Sequence, residues 1–375
     1  MNNLKILVVY PGRFGFHVVS YFLCKYASRR HDVSYLGVAF SQTKNCNTSE
    51  KLPTVRVREH ECKSGIFGRA EVLRIIKAEV VAGGYDVVFT AYIPGISLLK
   101  RFFRKSNVQA IVDIRSGFLA KSSLKRLLLN RILRFECRKF RYRTINSELL
   151  GSYLGFSRGE VTELPLGAEP VSSPARTFDG LHLLYVGALS KRNVEITVRG
   201  LKAYVDRFGT RGVKKYDIVG AGSIEDERII KDAIRDGGLE GIVEMHGYVS
   251  RENMGLFLQA ANVGVSFVPM TPYYDMQPVT KSYEFLLAGL PLLATRTTQN
   301  IRHVNAANGV LIDDTAESVS QGLAKLASKF SENAFDSDRI RKAFSMNSWG
   351  NVITEHYVPY LEKVFLDQDV STPSS

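Results

Sequence analysis

The amino-acid sequence predicts two α/β domains, each built around a doubly wound parallel sheet. With 375 residues, the chain is longer than one ordinary hydrophobic core supports. In both halves, short apolar runs of roughly four to eight residues alternate with longer helical patterns, as in parallel sheets that helices cover on both faces. A connector rich in proline, residues 163–180, separates the two halves.

The predicted strands and helices alternate along each half. In the first half the strands are LKILVVY, HDVSYLGV, YDVVFTAY and QAIVDI, with helices at 18–28 and 70–82. In the second half the strands are LHLLYVG, KKYDIVGAG, IVEMHGYV, NVGVSFVP, LPLLAT and GVLI, with helices at 193–208, 225–236, from 251, and at 283–288. A last helix is predicted at 349–366, and the polar residues 367–375 are expected to form a disordered tail.

Composition and the length of the apolar runs restrict the class of protein. Apolar residues make up 45% of the chain and charged residues 23%, as in a globular protein. Pro11 and Gly12 interrupt the first apolar run after about seven residues, and no later run reaches the ~20 residues of a membrane span, so we expect a cytoplasmic protein. The cysteines form no CxxC pair, which favours reduced thiols and no metal site: Cys24, Cys46, Cys62 and Cys137.

The loop after the strand LHLLYVG is a candidate phosphate site. Lys191 and Arg192 come directly before a predicted helix that starts near Asn193. Backbone N–H groups at a helix start favour anions, and two adjacent cations complete a site for a diphosphate. The alternative is an exposed basic turn with no ligand.

Two further loops of the second half carry candidate ligand groups. Gly220 and Gly222 allow a close backbone approach, but Glu225 stands where a dinucleotide fingerprint needs a third glycine, so the dehydrogenase hypothesis is weak. Glu284 lies one helical turn after Lys281, where a carboxylate accepts hydrogen bonds from sugar hydroxyls. The alternatives are a tight turn for the glycines and a surface ion pair for Lys281 and Glu284.

Four segments of the second half resemble, in order, the donor domain of the retaining glycosyltransferase family 4. They are YVGALSKRN, DIVGAGSIEDE, HGYVSRENMGLFLQAANVGVSFVP and PVTKSYEFLLAGLPLLAT. The resemblance implies the GT-B fold, in which two Rossmann-like domains face each other across a cleft. Residues 1–168 would then form the acceptor domain, residues 169–348 the donor domain, and helix 349–366 would pack back on the first domain.

The resemblance also implies roles for individual residues. Glu284 would hold the donor ribose, and Arg192, with Lys191 beside it, would meet the diphosphate. The donor-binding set is completed by two glycine turns, the segment that lines the base, and the residues around the terminal motif: Gly187, Gly220, Gly222, Gly247, Tyr248, Asp275 and Lys281.

Two positions depart from the family pattern. The family usually has a second glutamate eight residues before Glu284, where this chain has Met276, and the nearest carboxylate is Asp275. Ala188 stands where the family commonly has an arginine that helps to neutralise the diphosphate.

The resemblance implies a metal-independent, hexosyltransferase-type enzyme that retains the anomeric configuration. The donor would be a nucleotide-diphosphate sugar, with no permanently bound cofactor, and Arg192 would stabilise the departing diphosphate. Candidates for the acceptor base are His17 and Asp113, since each follows an N-terminal strand. The alternative for both is a helix cap or turn residue.

The net charge of +13 is concentrated in one segment. Residues 100–143 contain fourteen basic and two acidic residues, an excess of twelve. Within this segment Leu124, Leu128, Ile132 and Phe135 form an apolar stripe that Leu129, Leu133 and Phe140 widen. The pattern favours a helix whose stripe packs on the first domain and whose cations face anionic lipid: Lys125, Arg126, Arg131 and Arg134.

The predicted function is transfer of a sugar to a lipid-linked or other glycan acceptor in cell-surface polysaccharide or glycolipid synthesis. We expect the enzyme to associate peripherally with the inner face of the membrane. A nucleic-acid partner is not expected, because no helix-turn-helix, zinc-finger or RNA-binding signature is present. A nucleotide-sugar epimerase of the same architecture and a catalytically silent nucleotide-sugar-binding subunit remain as alternatives.

Overall fold

The computed structural model describes residues 3–40, 51–63, 65–118, 122–170 and 179–369. Cys46 and residues 370–375 of the predicted tail lie outside the described residues. The chain divides into two compact units. Unit 1 comprises Met1–Leu166 with Trp349–Ser375, and unit 2 comprises Gly167–Ser348.

Unit 1 contains a seven-stranded parallel sheet with the strand order β3-β2-β1-β4-β5-β6-β7. The strands are β1 (Lys5–Pro11), β2 (Asp32–Phe40), β3 (Val55–Cys62), β4 (Val87–Ala91), β5 (Gln109–Ile114), β6 (Tyr142–Ile145) and β7 (Thr162–Glu163). The helices are α1 (Val18–Ala27), α2 (Ile66–Gly83), α3 (Lys100–Lys105), α4 (Ser123–Cys137) and α5 (Glu148–Leu154), with a 3-10 turn at Ile96–Leu99. The central strands β1 and β4 are buried because helices cover both faces of the sheet.

Unit 2 contains a six-stranded parallel sheet with the strand order β10-β9-β8-β11-β12-β13. The strands are β8 (Leu181–Val186), β9 (Val213–Val219), β10 (Val243–Gly247), β11 (Val263–Ser266), β12 (Leu292–Thr295) and β13 (Gly309–Ile312). The helices are α6 (Glu195–Phe208), α7 (Ile224–Asp236), α8 (Arg251–Ala260), α9 (Pro272–Asp275), α10 (Thr280–Leu287), α11 (Thr298–Ile301), α12 (Ala316–Ser331) and α13 (Ser337–Phe344). The prediction of two parallel-sheet α/β domains is confirmed.

The chain returns to unit 1 after unit 2. It forms α14 (Trp349–Val352), one π-helical turn (Ile353–Tyr357) and α15 (Val358–Asp369). The buried ring of Trp349 stacks on Phe22 of α1, with 5.3 Å between the ring centroids. The last helix reaches Asp369, and therefore includes the first three residues of the predicted tail.

The four residues that define the predicted apolar stripe of α4 do not pack on unit 1, contrary to the prediction, whereas Leu133 and Phe140, which were predicted to widen it, are buried. Leu124, Leu128, Ile132 and Phe135 are exposed, whereas Leu133 and Cys137 on the opposite side of the helix are buried. The helix is rotated so that its narrower face, which includes the polar Asn130, contacts unit 1. Among the described residues, no helix is both long and apolar enough to span a bilayer.

Candidate functional site

The candidate site of unit 2 lies at the carboxyl edge of its sheet. The predicted donor-binding residues follow four strands that are neighbours in the sheet, β10, β9, β8 and β11. In parallel sheets the carboxyl ends of all strands lie at one edge, and ligands of open α/β sheets bind there. Residues that are separated by up to about a hundred positions in the sequence therefore meet at this edge.

Gly187 and Gly220 bring the loops after β8 and β9 into contact. The N–H of Gly187 donates to the carbonyl of Val219 over 2.9 Å. A Cβ atom added at Gly220 would lie 1.8 Å from the carbonyl oxygen of Gly187, and Gly220 has φ +152°. Only glycine at position 220 permits this approach. The role of Gly220 is therefore to let the two loops come together, and no direct contact with a ligand is needed to explain it.

The loop after β9 also contacts the loop after β10. The N–H of Gly220 donates to the carbonyl of Gly247 over 2.8 Å, and Gly247 has φ +66°. The N–H of Gly222 donates to the carboxylate of Glu227 in α7 over 3.0 Å. Tyr248, which follows Gly247, is 61% exposed, so its ring is accessible to a stacking ligand.

Lys281 is a buried ammonium at the start of α10. Its side chain contacts the end of β8 and the end of β11: Nζ lies 3.7 Å from the centroid of the Tyr185 ring and donates to the carbonyl of Phe267 over 3.3 Å. Burial, with the nearby charge of Arg192, lowers the pKa of Lys281 well below its usual value, while Glu284 acts in the opposite direction. A buried cation that is partly compensated by a ring and a carbonyl favours an anionic ligand beside it.

Arg192 is held over an aromatic ring. Its guanidinium carbon lies 4.3 Å from the ring centroid of Tyr274, and the hydroxyl of Tyr274 donates to the carbonyl of Lys191 over 3.1 Å. Lys191 itself has φ +60°, an uncommon backbone conformation for a lysine. The turn therefore places Arg192 and Lys281 close enough for the charge of one to lower the pKa of the other.

A buried polar network fixes α10 to the sheet. The hydroxyls of Ser266 and Ser282 lie 2.7 Å apart, and Ser282 donates to the Asn300 side chain over 3.2 Å. Asn300 in turn donates to the carbonyl of Thr295 over 2.8 Å. These contacts position Lys281, and also Glu284, which is half-buried one turn further along the helix.

Asp275, which is predicted to bind the donor, uses both oxygens of its carboxylate for contacts within unit 2. Both of its oxygens accept hydrogen bonds from Thr298: one from the backbone N–H at 2.6 Å and the other from the hydroxyl at 2.8 Å. The carboxylate therefore caps the first turn of α11. At the two positions that depart from the family pattern, the carbonyl of Ala188 accepts from Tyr185 and that of Met276 accepts from Gln299.

The two predicted acceptor bases differ in their surroundings within unit 1. His17 is half-buried at the N-cap of α1, and its ring lies 5.6 Å from that of Tyr10. Burial and the charge of Arg115 lower the pKa of His17, while a backbone hydrogen bond with Pro11 acts in the opposite direction. The neutral imidazole is therefore favoured at pH 7, as a general base requires.

Asp113, by contrast, is 0% exposed and fully engaged. Its carboxylate accepts hydrogen bonds from Arg115 Nε at 2.5 Å, from Thr144 Oγ1 at 2.7 Å and from the hydroxyl of Tyr10. Arg115 also donates to the hydroxyl of Tyr357 in the C-terminal segment over 2.9 Å. These contacts engage the carboxylate within the unit 1 core, and they favour a structural role for Asp113 over the predicted role of acceptor base.

A cluster of polar side chains on β8, β9 and β10 resembles a metal site in composition. Ligand atoms of Asp217, Glu244 and His246 lie within 4.8 Å of one another. However, Nζ of Lys215 lies 2.9 Å from carboxylate oxygens of both Asp217 and Glu244, so an ammonium already supplies positive charge to both carboxylates. Burial favours a raised pKa for Asp217, but hydrogen bonds from His182, Lys215 and His246 lower it, so the carboxylate is already satisfied without a metal.

The four predicted membrane-facing cations divide into two pairs. Lys125 and Arg131 are exposed, whereas Arg126 and Arg134 are half-buried. Sequence reasoning missed Tyr185 and Tyr274, the two rings that support the cations of unit 2. Tyr185 is the second-last residue of β8 and Tyr274 lies in the short helix α9. The usable signal is an aromatic residue close to a cation-rich loop, since such pairs favour cation–π contacts.

Comparison with known proteins identifies the fold. Neither a protein-family model nor a curated protein sequence matches the chain. Solved structures of glycosyltransferases match over almost its whole length. A sucrose-phosphate synthase from Thermosynechococcus elongatus is 15% identical with a TM-score of 0.74, covering 97% of this chain and 100% of its own.

Two further structures are similar to the same extent. HepE from Anabaena, solved in complex with UDP, has a TM-score of 0.72 and 13% identity and covers 96% of this chain and 100% of its own. The apo form of WaaB, a lipopolysaccharide outer core galactosyltransferase, has a TM-score of 0.67 and 14% identity with the same coverage. The two units of this chain therefore have the two-domain GT-B fold of glycosyltransferases.

Proposed function

We propose that this protein is a retaining, metal-independent glycosyltransferase that takes its sugar from a nucleotide-diphosphate donor. The observation that carries the proposal is the buried ammonium of Lys281, held beside Arg192 at the carboxyl edge of the unit 2 sheet. A diphosphate beside this side chain would stabilise its charged form, in addition to the effect of Glu284. HepE, a protein of the same fold, was solved with UDP.

The proposed chemistry uses positive charge rather than a protein nucleophile. As the bond from the sugar to the diphosphate breaks, negative charge develops on the leaving oxygen. Arg192 and Lys281 would stabilise that charge, and the protonated form of Lys281 becomes more favourable as the charge grows. Glu284 would accept hydrogen bonds from hydroxyls of the donor, as a half-buried carboxylate in the second turn of α10 permits.

We further propose that unit 1 receives the acceptor and that the acceptor is a lipid-linked glycan at the inner face of the membrane. His17 is the candidate for the acceptor base, since its lowered pKa keeps the ring neutral at pH 7. The concentration of basic residues in 100–143, on unit 1, supports an anionic membrane surface as the place of action.

The experiment is a thermal-shift screen of the purified protein against a panel of nucleotide sugars and nucleoside diphosphates. A ligand at 100 times its dissociation constant adds about 2.7 kcal/mol to the stability of its unit. A donor that stabilises the protein is then incubated with candidate acceptors, and the anomeric configuration of the product is determined. Isomerised free donor would indicate an epimerase, and binding without turnover would indicate a silent subunit. If no nucleotide sugar or nucleoside diphosphate stabilises the protein, the proposal fails.

A further inference from the structure

Helix α4 presents an apolar face to solvent within the described part of unit 1. Five of its large apolar side chains are between 41% and 79% exposed: Leu124, Leu127, Leu128, Ile132 and Phe135. On a helical projection Leu124, Leu128 and Phe135 fall within about 40° of one another. The buried side chains Leu133 and Cys137 lie on the opposite side. The exposed face is therefore the outer surface of the unit at this helix, and Leu124, Leu128 and Phe135 form an apolar patch at its centre.

Exposed cations lie on both sides of Leu124, Leu128 and Phe135. Lys125 and Arg131 are exposed, and among the described residues neither forms an ion pair with a carboxylate. Lys139, just beyond the helix, lies with its ammonium 4.2 Å from the ring centroid of Phe135. The one acidic residue of α4, Glu136, points toward the protein, because its carboxylate accepts from the N–H of Gly95 at 2.9 and 3.1 Å.

We propose that α4 lies in the interface of an anionic bilayer, with Leu124, Leu128 and Phe135 inserted among the acyl chains. The cations that surround them would contact the lipid headgroups. A bilayer offers apolar and anionic surface in successive layers, which matches an apolar face rimmed by cations. A second copy of this chain fits the patch less well, because two such helices would bring like charges together.

This inference deepens the proposed membrane association and gives it a definite contact surface. The sequence alone favoured a purely electrostatic contact, with the stripe buried in unit 1. Exposure of the stripe adds an apolar contribution, and that contribution is insensitive to salt, unlike the attraction between lysine or arginine and the headgroups. The two contributions can therefore be separated by experiment.

The first experiment is co-sedimentation with phosphatidylcholine vesicles that contain, or lack, one third of phosphatidylglycerol. We expect Leu128→Gln/Phe135→Gln to lower the affinity for anionic vesicles at least tenfold, with a loss that persists at 0.5 M salt. Lys125→Gln/Arg131→Gln should lower the affinity for anionic vesicles up to about 25-fold at low salt, since each cation contributes about fivefold. The same variant should have little effect at high salt, where the attraction is screened. Val81→Gln/Phe208→Gln is the matched control, since Val81 and Phe208 are also exposed, at 72% and 51%.

The second experiment reports insertion directly. In Phe135→Trp, the new indole should shift its emission to shorter wavelength on anionic vesicles and be quenched by lipids brominated on their acyl chains. The native Trp349 is 1% exposed and serves as the unchanged background. The inference is overturned if the protein ignores anionic vesicles, if it binds them without quenching of the indole, or if the apolar double variant binds like the control.

Two further measurements exclude other causes. Sedimentation velocity tests for a second copy: a dimer that Leu128→Gln/Phe135→Gln abolishes would assign the patch to self-association and overturn the inference. The nucleotide that stabilises the wild-type protein should stabilise this variant equally, because α4 belongs to unit 1 and the donor site to unit 2. Lipid binding is measured without a nucleotide, so an absence of lipid binding does not bear on sugar transfer. Conversely, if the protein binds lipid but no nucleotide, the proposed sugar transfer is refuted and the inference about α4 stands.

Discussion

The ammonium of Lys281 lies 3.7 Å from the centre of the Tyr185 ring. Lys281 lies in the first turn of α10 and Tyr185 near the end of β8, so this contact joins the helix that carries Glu284 to the strand that precedes the basic loop. The face of the Tyr185 ring compensates the charge of the Lys281 ammonium only in part, because a ring stabilises a cation much less than water does. Under the proposed function, a bound diphosphate would compensate this charge further.

Replacement of Lys281 should separate stability from ligand binding. We expect Lys281→Met to leave the free energy of unfolding unchanged or to raise it by about 1 kcal/mol, because a buried charge is replaced by an apolar side chain of similar length. The affinity for the nucleoside diphosphate should fall about 10- to 100-fold, as expected for the loss of one charge-assisted hydrogen bond. Chemical denaturation and calorimetry measure the two quantities.

The half-buried Lys202, which pairs with Asp206 on α6, supplies the control for this experiment. Lys202→Met should change the free energy of unfolding by no more than a few tenths of a kcal/mol and should leave the affinity for the nucleoside diphosphate unchanged. A strong loss of stability in Lys281→Met, without loss of affinity, would make Lys281 a purely structural residue.

Binding of the diphosphate should take up a proton. The pKa of Lys281 is lowered in the free protein, and a bound diphosphate favours the charged ammonium and raises that pKa again. The affinity for the diphosphate is therefore highest at pH values below the pKa that Lys281 has in the free protein. As the pH rises above that pKa, the affinity falls by at most tenfold per pH unit.

Calorimetry above about pH 7.5, where the terminal phosphate is fully ionised, isolates this effect. Titrations in two buffers of different ionisation enthalpy give the number of protons taken up. We expect an uptake of up to one proton in the wild-type protein and none in Lys281→Met. Equal uptake in both proteins would assign the titration to another group.

Arg192 should recognise phosphate and not the nucleoside. We expect Arg192→Ala to weaken binding of the nucleoside diphosphate about tenfold or more and to leave binding of the free nucleoside nearly unchanged. Isothermal titration with both ligands measures the difference. Arg228→Ala, which changes an exposed arginine of α7 paired with Glu225 and Asp232, is the control and should affect neither ligand. Equal losses for the two ligands in Arg192→Ala would place Arg192 away from the phosphates.

Glu284 should matter for transfer without supporting the core. Glu284→Ala is expected to abolish sugar transfer and to weaken nucleotide binding, because the hydroxyl groups of the donor lose their acceptor. Its melting temperature should stay within a few degrees of the wild type, as the side chain is half-buried at the edge of the sheet. Turnover and thermal unfolding are the two measurements, and unchanged turnover would contradict the assignment.

Asp113 should prove structural and His17 should not. Asp113→Asn leaves Arg115 without its buried carboxylate partner, so we expect a loss of about 3 kcal/mol of stability and a corresponding fall in the midpoint of denaturation. His17→Gln should keep the stability within about 1 kcal/mol and reduce turnover, with loss of the acidic limb of the pH–rate profile. A stable Asp113→Asn protein with no activity would restore Asp113 as a base.

The local pattern of the sequence was sufficient to predict the six strands of unit 2 and the loops that follow them. Buried parallel strands are continuous apolar runs, and such a run can be recognised from a few consecutive residues. The edge strand β3 escaped prediction because most of its side chains are exposed and polar, so the apolar signal is missing.

The state of each site residue depended instead on partners that are distant in the sequence. Asp275 is engaged by Thr298, 23 residues away, and Asp113 by Tyr10, 103 residues away. The same holds for Lys281, whose charge is buried against Tyr185, and for α4, whose rotation on unit 1 exposes Leu128 and Phe135. An amphipathic period shows that a helix has two faces, but the packing of the whole unit selects which face is covered, since burial is a property of neighbours and not of the segment itself.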